Sequence, residues 1–178
     1  MILYVVRHGQ TQWNLEHRCQ GISDIPLTQE GIDEATKLQD LVSSLNLDVV
    51  IASPLTRTRE TAKILVNNKL PINIDDRLIE RDWGMNEGMK IDEIDTIDCW
   101  DFILNTNVQN IERIQDFMKR VSEFLEEIKI RYSDKKVLLV THSAVLRVIH
   151  YLLNKIPEDG DLTKIEIPNL RIVEYEIK

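Results

Sequence analysis

Three short, continuous apolar runs constrain this chain more than any other feature: Ile2–Val6, Asp48–Ala52 and Val137–Val140. Each is too short for a buried helix and rich in Val, Ile and Leu, as strands covered on both faces are. Pro71–Ile74 is a weaker run of the same kind. Between them the apolar period changes to three and four residues. Ile32, Ala35, Leu38, Leu41, Val42 and Leu45 predict one helix behind a Thr28 cap. Leu55, Ala62, Leu65 and Val66 predict a second, with Ser53 as cap and Pro54 in its first position. A long amphipathic pattern runs from Ile111 to Ile128, and a further helix fits Ser143–Asn154. Strand and helix alternate, which predicts an α/β fold: a three-layer sandwich with a mostly parallel central sheet and helices on both faces. The tail reads differently. Lys164–Ile167 and Arg171–Ile177 alternate apolar with polar around Pro168-Asn169, predicting a hairpin that adds an antiparallel edge strand.

The length of 178 residues, without repeats or a linker-like tract, predicts one domain over 1–178. The charge of −8, from 22 basic and 30 acidic residues, offers no basic footprint for nucleic acid or anionic lipid. No apolar run approaches the roughly 20 residues of a membrane span. Arg7 interrupts the one stretch that could pass for a signal sequence, and Cys19 and Cys99 form no paired motif. These features predict a cytoplasmic protein whose partner is neither nucleic acid nor membrane. Oligomeric state is not legible, with a dimer kept open.

Ligands of open α/β sheets bind beyond the carboxyl ends of the strands. Here the first run ends in Arg7-His8-Gly9, the second in Ser53-Pro54 with Arg57 a turn later, and the last in Thr141-His142-Ser143. Two of the four histidines and two arginines thus fall on one rim. Arg57 is expected in the first turn of a helix, where a cation is mildly unfavourable unless an anion joins it. A planar guanidinium fork suits phosphate oxygens. A neutral imidazole at His8 could attack phosphorus, and arginines nearby would keep it unprotonated. His142 could donate to the phosphoryl oxygens. His17 and His150 have no such setting. Phosphate loops of the GxxxxGK[ST] or GxGxxG type are absent from the sequence, as is a zinc-ligand pattern.

Arg7-His8-Gly9-Gln10-Thr11 followed by Asn14 resembles the signature of the histidine phosphatase superfamily, the phosphoglycerate mutase-like phosphatases. The blocks from Gln20 to Thr28, Ser53 to Ala62, Leu78 to Arg81 and Val140 to Ser143 resemble later segments of that family in the same order. The likeness is weak between 96 and 136. The resemblance implies a phosphoglycerate mutase-like fold and a phosphatase acting on small phosphorylated metabolites with no cofactor or metal. It implies His8 as the phosphorylated nucleophile, and Arg7, Arg57 and His142 as holders of the phosphoryl group, with Asn14 beside them. Glu80 would be the general acid and then base, with Asp82 and Glu87 near enough in sequence to compete. Gln20, Gly21, Arg81 and Ser143 match substrate-side positions. Phosphoglycerate mutase-type transfer is the first alternative, and a non-catalytic phospho-ligand binding protein the second. The acidic stretch of Asp92, Glu93, Asp95, Asp98 and Asp101 favours hydrolysis, since it would repel a second phosphate.

Overall fold

The computed structural model describes residues 1–94, 98–108 and 110–177. Five strands form one sheet: β1 (Ile2–Arg7), β2 (Val49–Ala52), β3 (Ile72–Ile74), β4 (Lys136–Thr141) and β5 (Ile172–Glu176). Their order is β3-β2-β4-β1-β5. The first four run parallel, and β5 lies antiparallel along β1 at one edge. The expected α/β architecture is present.

Alternate side chains of the central strands enter two separate cores, as the period of two along a strand requires. Leu3, Val5, Ile51, Val137 and Leu139 pack on one face beneath α5 (Ile114–Arg131) and α6 (Ser143–Leu153). Tyr4, Val6, Val50, Ala52, Leu138 and Val140 face the other way, beneath α2 (Gln29–Lys37), α3 (Gln39–Ser44) and α4 (Thr56–Leu65). A short α1 (Gln12–Leu15) follows β1. On α5, Phe117, Val121, Phe124 and Ile128 recur at helical steps and are buried; truncating either phenylalanine to Ala would cost about 3–5 kcal/mol.

Several boundaries depart from the sequence reading. The helix expected from Thr28 to Leu45 is two helices that meet at Leu38, although Thr28 does cap the first by accepting from the Gly31 amide. The cap of α4 is Leu55, not Ser53, and Pro54 lies outside the helix. The first free amide of α4, that of Thr56, is taken from a distance by Asp24, which also accepts from the Thr56 hydroxyl. The long helix begins at Ile114, three residues later than the apolar pattern. The expected hairpin has one strand only. Residues 164–167 form no strand, because Asn169 of the connecting turn is drawn inward to donate to the His8 carbonyl at 2.8 Å. The acidic stretch forms 3₁₀ turns at Ile91–Glu93 and Asp98–Trp100, while Asp95 lies outside the described residues.

Candidate active site

Strand register assembles the site. Arg7 pairs with Thr141 across β1 and β4, and Ala52 with Val140 across β2 and β4. The ladder runs one step further on both sides, with the His8 amide donating to Thr141 and the Ser53 amide to Val140. His8, His142 and Ser53 therefore leave three adjacent strands at the same level. A one-residue slip would turn each side chain to the opposite face.

His8 is buried, and its Nδ1 lies 2.7 Å from the Gly9 carbonyl oxygen. A carbonyl only accepts, so Nδ1 carries the proton and the lone pair belongs to Nε2. Burial, then the charges of Arg57 and Arg7, hold the His8 pKa well below the usual histidine value. The His142 ring stands edge-on to that of His8, with centroids 5.3 Å apart. Its Nε2 shares a 2.8 Å hydrogen bond with the Ser53 hydroxyl, while Nδ1 is buried without a partner among the described residues. Burial and then Arg57 depress its pKa too.

Arg57 is fully buried, and burial lowers its pKa to about 10, so it stays charged near neutrality. Its Nη1 donates to the Ser23 carbonyl and its Nη2 to that of Gly21, leaving Nε unpaired among the described residues. Arg7 is held by the Ile167 carbonyl through Nη1, again with Nε unpaired. The loop that anchors Arg57 is itself held by Glu87, which accepts from the Ile22 and Ser23 amides, the Ser23 hydroxyl and the Trp83 amide. Gly21 turns there at φ +51°, and a Cβ would stand 1.9 Å from Glu87 Oε1. The loop closes onto the carboxylate only because the position is glycine.

Of the three acids that could serve as proton donor, Glu80 alone borders the cavity at the strand ends. Its Oε1 accepts from the Arg81 amide, and its Oε2 from the Ala144 amide and the Ser143 hydroxyl at 3.2 and 3.3 Å. Arg120 of α5 fixes the segment behind it, donating to the carbonyls of Arg77, Ile79 and Glu80. Glu87 is occupied by the loop, and Asp82 accepts from the Gly84 amide away from the cavity.

The cavity measures about 240 Å³. Arg7, His8, Asn14, Gln20, Gly21, Arg57, Glu80 and Ser143 border it, and His142 sits against His8 just behind its surface. Arg81 is not brought to the cavity. Its guanidinium is fully buried between Trp83 and Trp100, 5.4 and 5.1 Å from their ring centroids, and donates to the carbonyls of Glu112 and Cys99. Among the described residues no cluster of three or more His, Cys, Asp or Glu is disposed to hold a metal, and no helix is long and apolar enough to cross a membrane.

The model of the histidine phosphatase superfamily (branch 1) matches residues 3–178. The chain belongs to the histidine phosphatase superfamily. Among its relatives in this superfamily, the uncharacterized phosphatase PhoE of Bacillus subtilis is 38% identical over 153 residues, which cover 85% of this chain and 75% of that one. Phosphoserine phosphatase 1 of Hydrogenobacter thermophilus is 34% identical, with the same two coverages. A probable phosphoglycerate mutase, GpmB of an Enterobacter species, is 34% identical over 81% of this chain and 70% of its own length. Of the solved histidine phosphatase-like structures, YhfR of Bacillus stearothermophilus superposes with a TM-score of 0.86 at 32% identity, covering 99% of this chain and 91% of that one. The superfamily match spans the stretch between 96 and 136, where motifs are weakest.

Sequence reasoning missed the outer side of the cavity, of which only Trp100 falls in that stretch. Trp83, Ile91, Ile94, Trp100 and Arg147 form the outer wall of this histidine phosphatase cavity, together with Arg18 and Cys19. Burial pushes the Cys19 thiol up to about 12, which leaves it unreactive. Thr61, whose hydroxyl accepts from the Gly9 amide, lies within the Ser53–Ala62 block but was given no role there.

Proposed function

We propose that this protein hydrolyses small phosphomonoesters in two steps through a phosphohistidine on His8. The observation that carries the reading is the Nδ1 contact of His8 with Gly9, which leaves Nε2 unprotonated beside two arginines. In the first step the Nε2 lone pair forms the N–P bond as the bond from phosphorus to the alcohol oxygen breaks. Glu80, in its acid form, gives its proton to the leaving oxygen. In the second, the Glu80 carboxylate takes a proton from a water whose oxygen attacks phosphorus. The N–P electron pair returns to Nε2 and orthophosphate departs. Arg7, Arg57 and the free Nδ1 of His142 spread the charge on the equatorial oxygens, each such donor supplying about a hundredfold or more. Asn14, Gln20, Gly21 and Ser143 bound the space for the alcohol.

Quenching a reaction with labelled phosphomonoester in alkali tests this reading. Acid-labile, base-stable label on His8 is the expected result, and a protein that releases phosphate without ever carrying label would overturn it. Transfer to an alcohol, as a mutase performs, shares the first step. Release of free phosphate in proportion to substrate consumed supports hydrolysis, whereas isomerised phosphoester without free phosphate supports transfer.

A further inference from the structure

One cation bordering the cavity has no part in the chemistry above. Arg147 lies on α6 one turn beyond Ser143, and its guanidinium stands 5.0 Å from the ring centroid of Trp100. Its Nη1 donates to the Leu162 carbonyl at 2.7 Å, and its Nε is buried with no partner among the described residues. It forms no ion pair among the described residues, although the chain carries 30 acidic side chains. Arg18, the other arginine of the outer wall, is paired with Glu16 and donates to the Gly88 carbonyl. Arg7 and Arg57 are committed to the phosphoryl end. Arg147 thus holds a charge at the alcohol end of the cavity that Glu80 and Asp161 act on from a distance but that no carboxylate among the described residues pairs with directly, and the charge is felt as far as Arg7. A partly buried guanidinium left so is costly unless a ligand completes it.

We infer that Arg147 is a specificity-determining residue that binds a second anionic group, a carboxylate, on the alcohol portion of the phosphomonoester. With Nη1 tied to Leu162, the Nε–Nη2 edge of the fork remains, two parallel N–H groups spaced for the two oxygens of a carboxylate. The wall residues Ile91, Ile94 and Trp100 come from an acidic segment that also carries Asp92, Glu93 and Asp98, so a second phosphate would add more negative charge beside it than a carboxylate does. The inference rests on the phosphatase reading for its kinetic test, and binding tests it separately.

The experiment compares phosphoglycolate, 3-phosphooxypropanoate and 4-phosphooxybutanoate with the alkyl phosphates of equal carbon number, and with the matching diol bisphosphates. The wild type is expected to favour at least one carboxylate by tenfold or more in kcat/KM over its alkyl partner. Arg147→Met brings that ratio towards one, while Arg147→Lys, which keeps the charge and loses the fork, retains part of it. A wild-type ratio near one, an equal loss on both substrates in Arg147→Met, or a bisphosphate preferred over every carboxylate would overturn the inference. Calorimetry on His8→Ala reads the same ratio in Kd without turnover. Absence of hydrolysis with a preserved carboxylate preference would sink the phosphatase reading and leave Arg147 its role.

Discussion

The Nδ1–H of His8 donates to the carbonyl of Gly9, the next residue in the chain, across 2.7 Å. The nucleophile's tautomer is thereby set by its own backbone, before any substrate arrives. Thr61 holds the Gly9 amide, and the Asn169 side-chain amide donates to the His8 carbonyl and, at 3.3 Å, to the Gly9 carbonyl that orients the ring, so the backbone on both sides of Gly9 is held.

Replacing this ring removes chemistry more than it removes packing. His8→Ala is expected to lower phosphomonoester turnover by at least about a thousandfold while the protein still unfolds in one cooperative step. Steady-state kinetics and thermal denaturation check it, and appreciable residual hydrolysis would refute the nucleophile.

Stability should depend on pH through the two buried imidazoles. Both His8 and His142 have folded pKa values pushed below the ordinary 6.5, so below that pH the unfolded chain binds protons that the folded one does not. Their contribution is present above about pH 6.5 and is lost as pH falls, at up to about 1.4 kcal/mol per pH unit for each ring. Urea midpoints at about pH 7.5, 6.5 and 5.5 measure it. A flat profile would contradict the burial argument. The same shift places the acid limb of kcat/KM attributable to His8 well below pH 6.5.

Arg57 is anchored at both terminal nitrogens, to Gly21 and Ser23. Arg57→Lys keeps the charge but cannot make both contacts and still address a phosphoryl group. A loss of about a hundredfold or more in kcat/KM is expected. Near-native kinetics would show that the fork is dispensable.

Glu80→Gln should reveal its role through the leaving group. Alkyl phosphates, whose alkoxides need a proton, are expected to lose about 10²–10⁴-fold. Para-nitrophenyl phosphate, whose leaving phenolate is stable, should lose far less in the bond-breaking step. Equal losses on both substrates would argue against proton donation, and Glu87→Gln would then be the comparison to make.

The rim of the site was legible because buried parallel strands write themselves as uninterrupted apolar runs, and whatever follows such a run stands at the sheet's carboxyl edge. Arg7, His8 and His142 were found that way. The expectation for Arg57 was right in place and incomplete in cause. The amide at the start of α4 is taken by Asp24, a residue 32 positions earlier whose approach no local pattern announces. The outer wall was hidden for a related reason. Residues 81–94 and 98–108 are built from 3₁₀ turns and irregular backbone, which leave no period to read.

Local sequence by itself determined the alternation of strand and helix, the edge to which reactive side chains are delivered, and the residue types brought there. Those follow from hydrophobic period and from what ends each run, both short-range properties. Only the tertiary structure decided that Glu80 borders the cavity while Glu87 is spent on a loop, that neighbouring Arg81 packs between two tryptophans, and that Arg147 stands beside the site without an ion pair among the described residues. These outcomes depend on which distant groups satisfy each charge, and burial forces that choice at a range no local pattern spans.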